Sequence, residues 1–383
     1  MIPFDYQPRT RIVFGPGKVN DLGALAGELG ARRALLVSDP GVVAAGHAPR
    51  GLDSLRRAGI ETQLFDAVGE NPTTDHVEAG LAIARRIEPE LIVGLGGGSS
   101  MDCAKGINFL YTNGGKMRDY WGVGKATREM LPMIAVPTTA GTGSETQSFA
   151  LISDAKTHVK MACGDKKASF RVALLDPVLT VSQPPSVTAL TGIDALAHAL
   201  ETYVTKVRNP VSLAFSREAW LLLGENFARV LEEPDNIEAR SGMQLGACFA
   251  GLAIENSMLG ATHALANPLT TRYGIVHGQA IGLMLPHVIR FNGAEYGNWY
   301  RDLLEGTGGA NGFPDPANGY QGLADFVAGL TAQAGLAGRL SDCGVEQGKL
   351  HELAAEAAKQ WTGSFNPRRV TEAELLELYE AAY

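Results

Sequence analysis

Short β-rich runs alternate with helix-patterned stretches through the first half of the chain: RIVF (11–14), ALLVSD (34–39), TQLFD (62–66), LIVGLG (91–96), MIAVP (133–137) and VALLD (172–176). That alternation predicts a parallel sheet with helices on its faces. Between Ala150 and Gly164 the pattern reads as an inserted hairpin, and the prolines of DPVLTVSQPPS mark a boundary. From Val187 onward strand signals almost vanish, and helical periodicity is broken at NP (209–210), EEPDN (232–236) and GTGGANGFPDPANG (306–319). The expected architecture is an α/β domain over residues 1–182, with a Rossmann-like parallel sheet, followed by an all-α domain over 183–383. No internal repeat or low-complexity tail interrupts it.

At 383 residues the chain is too long for one ordinary core, and its 45% apolar content is enough for two. The formal charge of −8, without any Lys/Arg block, argues against nucleic acid and anionic membrane surfaces as partners. Cys103, Cys163, Cys248 and Cys343 are far apart and form no CxxC pair, which reads as reduced, buried thiols of a cytoplasmic protein rather than metal ligands. The amino terminus lacks a basic region followed by an apolar one, and no apolar stretch reaches the roughly 18 residues of a membrane span. A soluble, unexported protein is expected.

The helical half holds the densest chemistry. Asp194 and His198 stand four apart in TGIDALAHALETYV, so on a helix they share a face and can converge on one ion. His263 (GATHALANP) and His277 (GIVHGQAIG) would complete a set of three nitrogens and one oxygen. Taken alone, the Asp194/His198 pair reads more readily as a chance pair on a solvated helix, and His263 and His277 each read as a core histidine bonded to a carbonyl. The flanking residues, however, are small or apolar, and four buried polar groups at once are more simply explained by a shared ion. Such a set leaves coordination positions open for a substrate oxygen, and it suits Fe²⁺, Zn²⁺ or Co²⁺.

Two loops of the first half are candidates for a nucleotide. LIVGLGGGSSMDCAKG places glycines at a strand end and opens a helix with Ser99-x-x-Asp102, a start resembling a capping box. MIAVP runs into the hydroxyl-rich TTAGTGSE (138–145). Donor-rich loops at the carboxyl ends of parallel strands suit a pyrophosphate and ribose, although each alone is also an ordinary βα turn. Asp39 ends a strand before Pro40-Gly41, where an acid accepts from a ribose 2′-hydroxyl and repels a 2′-phosphate, favouring NAD over NADP. Here the acid precedes the glycine loop instead of following it, so the sheet is wired differently from the usual dinucleotide fold.

Taken together, FGPG, SDPGV, NPTTD (71–75), GGGSSMDCAKG, PTTAGTGSE, TGIDALAHALE, GATHALANPLTTRYGIVHGQAIGLMLPHV and FNPR (365–368) make the chain resemble the iron-dependent, group III alcohol dehydrogenases, with the dehydroquinate synthase-like fold, nearly end to end. The resemblance implies an NAD(P)-dependent dehydrogenase with an amino-terminal dinucleotide domain and a helical metal domain, commonly a homodimer. It implies that Asp194, His198, His263 and His277 bind Fe²⁺. It further implies that Asp39, Asn71, Gly97, Gly98, Ser99, Thr138, Thr139, Thr142, Lys160 and Leu179 line the NAD site. Two positions depart from the family pattern. Where relatives usually carry a histidine four residues after the third ligand, thought to relay a proton beside the nicotinamide, this chain has Asn267, which hydrogen-bonds but does not titrate. Trp361-Thr362 stands where many relatives have a cysteine facing the substrate.

The resulting expectation is hydride exchange between NAD(H) and a small alcohol or aldehyde, possibly a diol. Asn267 and His277 would lie at the reaction, and Phe149, Ile254, Leu259 and Trp361 would form an apolar substrate pocket. Three rivals stand beside it. One is a hydroxyacid–oxoacid transhydrogenase with tightly held NAD. Another is a lyase or cyclase like dehydroquinate synthase, disfavoured because the helical half lacks a basic cluster for a phosphorylated substrate. The third is a non-catalytic, metal-stabilised scaffold.

Overall fold

The computed structural model of the chain describes residues 3–308 and 312–383. Residues 1–2 of the expected first domain and 309–311 of the expected glycine-rich break therefore lie outside the described residues. The described residues form two compact units, one of Gln7–Gln183 and one of Pro184–Tyr383 joined by residues 3–6. The Tyr6 ring packs 6.3 Å from that of Phe215.

In the first unit, β1 (Arg11–Phe14), α1 (Leu22–Glu28), β2 (Arg33–Val37), α2 (Pro40–Ala44), α3 (His47–Arg57), β3 (Glu61–Phe65), α4 (Thr74–Ile87), β4 (Leu91–Gly96), α5 (Gly98–Asn113), β5 (Gly122–Val123), β6 (Met133–Pro137), β7 (Phe149–Ser153), β8 (Lys160–Gly164) and β9 (Val172–Leu175) follow in order. Six strands form the expected parallel sheet in the order β1-β9-β6-β4-β2-β3. Every residue of β4 and β6 is buried, because successive side chains enter opposite cores. Leu35, Ile92 and Met133 pack with α4 and α5 on one face, while Leu36, Val93 and Ile134 pack with α1 and α3 on the other. The inserted hairpin is β7 with antiparallel β8, and β5 extends it into a second, three-stranded sheet. The FGPG segment turns at Gly17 (φ 79°) and hooks onto the end of β9, where the Asp176 carboxylate accepts from Gly17 N at 2.9 Å and Val19 N at 3.1 Å.

The second unit is helical: α6 (Pro185–Val204), α7 (Pro210–Glu232), α8 (Ile237–Glu255), α9 (Ala261–Tyr273), α10 (His277–Glu305), α11 (Gly319–Gln333), α12 (Leu350–Ala357) and α13 (Glu372–Ala381). Its breaks have local causes. Asn209 accepts from Val211 N and Ser212 N at 3.1 Å each, with Pro210 in the first turn of α7, and Asn236 caps α8 through Ala239 N at 3.0 Å. No helix among the described residues is long and apolar enough to cross a membrane.

Candidate metal and cofactor sites

Asp194 and His198 lie one turn apart in the middle of α6, both buried. His263 sits in the first turn of α9. That helix ends at Gly274, whose positive φ (65°) reverses the chain so that three residues later His277 opens α10. Asp194 Oδ1 is thereby 3.3 Å from His198 Nε2, 3.5 Å from His263 Nε2 and 3.6 Å from His277 Nε2. Donors held at about 2.1 Å around one tetrahedral ion stand about 3.4 Å apart, close to these three spans, and the ligand atoms of Asp194, His263 and His277 all lie within 4.8 Å of one another; His198 approaches the group through Asp194. Asp194 Oδ1 and His263 Nε2 are buried and take no hydrogen bond in the structure, an expensive arrangement that a shared cation removes. The side chain of His277 is 32% exposed against 5–8% for the other three, so the set is open on the His277 side.

The electrostatics agree with a cation site. Burial pushes the Asp194 carboxyl up, yet the imidazoles of His198, His277 and His263 outweigh it and hold the group well below the usual carboxylate range. For His263, burial lowers the basicity, but the Glu201 and Asp194 carboxylates prevail and push it up to about 9. A cation taking the place of that proton satisfies both acids.

Glu201 is the residue that sequence reasoning missed. Its Oε2 is 2.6 Å from His263 Nδ1 and its Oε1 accepts from Thr262 N at 2.6 Å, in full burial. With Nδ1 donating to Glu201, the His263 Nε2 lone pair is turned toward the other ligands. The signal was present: Asp194, His198 and Glu201 follow the i, i+4, i+7 spacing of one helical face. FNPR supports the same corner. Asn366 Oδ1 accepts from Ala261 N at 3.2 Å and from Asn292 Nδ2 at 3.1 Å, and a Cβ on Gly260 would come within 3.1 Å of both Glu201 and Asn366.

In the first unit the structure corrects one expectation. Ser99 and Asp102 form no capping box: α5 begins at Gly98 with Gly97 as its cap and no side chain bonded there. Starting the helix before Ser99 places that residue in the first turn. Asp102 turns inward instead, accepting from Ser144 Oγ at 2.7 Å and Leu151 N at 3.3 Å. The first-turn N–H groups therefore face no side-chain acceptor of their own, the condition under which a helix start binds an anion. The two loops meet directly. A Cβ on Gly98 would lie 2.8 Å from Thr142 Cγ2, and one on Gly97 would lie 3.4 Å from Thr139 Cγ2. Thr138 N donates to Gly96 O at 3.0 Å. Asp39 joins them because β2 neighbours β4. Its Oδ2 accepts from Ser100 Oγ at 3.2 Å, and its Oδ1 caps α2 through Val42 N at 3.0 Å.

The remaining expected residues are more scattered. Asn71 is exposed with φ 51°, and Lys160 is exposed at the start of β8; burial pushes the Asp102 carboxyl up, with the charges of Lys105 and Lys160 opposing. The Leu179 side chain is fully buried in the core against α1 and α3, so only its backbone can face a cofactor. Phe149 lies in the first unit, its ring over Gly164. In the second unit Ile254 is buried in α8, Leu259 is half-buried, and Trp361 is 46% exposed with its ring edge-on to Phe365 at 5.7 Å. Asn267, one turn beyond His263, donates from Nδ2 to Gln360 Oε1 at 3.0 Å.

Residues 8–177 match the family described as iron-containing alcohol dehydrogenase, and residues 188–383 match the carboxyl-terminal domain of the Fe-containing alcohol dehydrogenase family. The chain is 34% identical over 382 residues to the 1,3-propanediol dehydrogenase of Citrobacter freundii, covering 99% of each. Among solved structures it is similar to a 1,3-propanediol oxidoreductase, with TM-score 0.95, 34% identity and 100% of both chains covered. A sulfoacetaldehyde reductase from Bifidobacterium kashiwanohense in complex with NAD⁺ gives TM-score 0.91 at 29% identity, over 100% of this chain and 99% of that one.

Proposed function

The chain belongs to the iron-containing alcohol dehydrogenase family, and from that premise we propose how its own residues divide the work of a metal-dependent hydride exchange between NAD(H) and a small alcohol or aldehyde. Asp194, His198, His263 and His277 hold the ion, and the observation that carries this assignment is the single Asp194 oxygen within 3.3–3.6 Å of three imidazole nitrogens. When bound, the ion withdraws electron density from a substrate oxygen and the nicotinamide exchanges hydride with the carbon that bears it. The chain supplies the rest. Asp194 brings the one negative charge among the ligands, and Glu201 keeps the His263 tautomer that binds. Gly97, Gly98, Ser99, Thr138, Thr139 and Thr142 offer backbone and hydroxyl donors to the pyrophosphate, with Asp39 accepting from the adenosine ribose and Asn71, Lys160 and the Leu179 backbone at its borders.

Asn267 orients water or substrate but moves no proton itself, so the proton leaves toward solvent on the exposed His277 side. Apolar Phe149, Ile254, Leu259 and Trp361 favour a short, uncharged primary alcohol, aldehyde or diol over a phosphorylated or dicarboxylic compound. The named activities of the propanediol relatives lie in that class. Residues 1–182 then serve as the NAD-binding domain and 183–383 as the metal-binding domain. A homodimer is supported by the edge position of β1, with Phe14 38% exposed on it, and a cytoplasmic location by four free cysteines.

The test is NADH oxidation against short aldehydes and hydroxyaldehydes, using metal-stripped protein reloaded anaerobically with Fe²⁺ or Zn²⁺ beside a His263→Ala variant. Metal-dependent turnover that disappears in the variant is the expected result. NAD retained through purification, with hydride passing only between a hydroxyacid and an oxoacid, would instead establish the transhydrogenase.

A further inference from the structure

Two buried charges in the first unit take no part in the reaction above. Lys105, on α5, is fully buried, and its Nζ donates to Ser144 O, Ser144 Oγ and Phe149 O at 2.8 Å each. Three acceptors around one nitrogen match the three donors of an ammonium. Asp102 Oδ1, one turn earlier, is 3.8 Å from that nitrogen and accepts from the same Ser144 hydroxyl at 2.7 Å. For packing alone, a pair of apolar side chains would serve the site more cheaply than a desolvated ion pair.

The spacing shows what the pair is holding. Gly98, Asp102 and Lys105 are i, i+4 and i+7, one stripe along α5. Gly98 faces Thr142, and the two charges grip Ser144 and, beyond the loop, Phe149 O and Leu151 N. At its near end the loop is fastened by Thr138 N on Gly96 O. Within it, Ser144 N donates to Thr142 Oγ1 at 3.2 Å and Gln147 Nε2 to Thr142 O at 2.7 Å. One helix thus presents the anion-binding start and, one to two turns later, sets the position of the loop that faces it.

We propose that Lys105, together with Asp102, is a positioning residue for NAD: it holds the loop 138–148 at the distance from the start of α5 that the pyrophosphate requires. Neither group touches the cofactor. The inference rests on reading Gly97–Ser99 and Thr138–Thr142 as the NAD loops.

NADH binding by metal-stripped protein, followed by nicotinamide fluorescence, tests it without recourse to turnover. Ser144→Ala removes the hydroxyl shared by the two charges. The double variant Asp102→Asn with Lys105→Met removes both charges together, so that neither is left buried alone. Each is expected to raise the NADH Kd about tenfold, while far-UV circular dichroism and metal content after reloading stay at the wild-type level. A Kd within about threefold of wild type in the folded variants, even with a lowered melting temperature, overturns the proposal. Should the double variant fail to fold, Ser144→Ala decides alone. Gly98→Val serves as the control on the loop reading. If it binds NADH as wild type does, that reading falls, whatever Lys105 does.

Discussion

At the residue scale the site depends on partners that donate no electron pair to an ion. Glu201 orients His263 from behind at 2.6 Å, so Glu201→Ala is expected to weaken metal binding about 10- to 100-fold in chelator competition while NADH binding is unchanged. Asn267 poses the opposite question. With an imidazole restored one turn beyond His263, Asn267→His should change the pH dependence of turnover and leave metal content as it was; an unaltered profile would show that no proton passes through this position. A third residue gives a pH effect on folding. Burial pushes the Glu145 carboxyl up to about 7, its own backbone N–H and Lys105 opposing. The folded chain then holds a proton that the unfolded chain loses, so this group's contribution to stability falls as pH rises from about 4.5 to 7. Glu145→Gln cannot ionise, and its melting temperature relative to wild type should climb between pH 5 and pH 8.

At the scale of elements, the candidate ligands are brought together by close packing of helices as well as by the Gly274 turn that joins α9 to α10. Gly278 lies beside His277 in the first turn of α10 and against the backbone of α6, where a Cβ would stand 2.2 Å from Leu190 O. Backbone cannot step aside as a side chain can. Gly278→Ala must therefore move His277 away from Asp194, and we expect a cost of about 1–3 kcal/mol in denaturant unfolding together with weaker metal retention. The corresponding close approach in the α/β unit is Gly98 against Thr142. There the neighbour is a side chain, and the consequence falls on the cofactor space between two loops.

For the molecule as a whole, an ion that binds the folded chain and not the unfolded one raises stability in proportion to the logarithm of its concentration over its dissociation constant. Reloading the metal-stripped protein with Fe²⁺ or Zn²⁺ should raise its melting temperature. His263→Ala should abolish that rise while NADH still stabilises the variant. Loss of both responses together would mean that the substitution had disrupted the fold rather than the site.

What could be read along the chain was whatever depends on short spacings. β-rich runs named the six strands, Asn209-Pro210 and the EEPDN segment marked breaks between helices, and Asp194-x3-His198 placed two candidate ligands on one helical face, because period, break and helical face are set within a few residues. Glu201 was legible in the same way, three residues past His198, but nothing local said that its carboxylate would meet a ring 62 positions later. Strand order decided the rest. Asp39 precedes the glycine loop in sequence, yet reaches it because β2 lies beside β4. The inward turn of Asp102 toward Ser144 and the burial of Lys105 beneath the facing loop arose in the same manner, from contacts across about 40 residues that no periodicity encodes. Hydrophobic pattern selects the elements. Which polar groups they trap against one another is settled when the faces pack, since only then does burial force each donor and charge to find a partner.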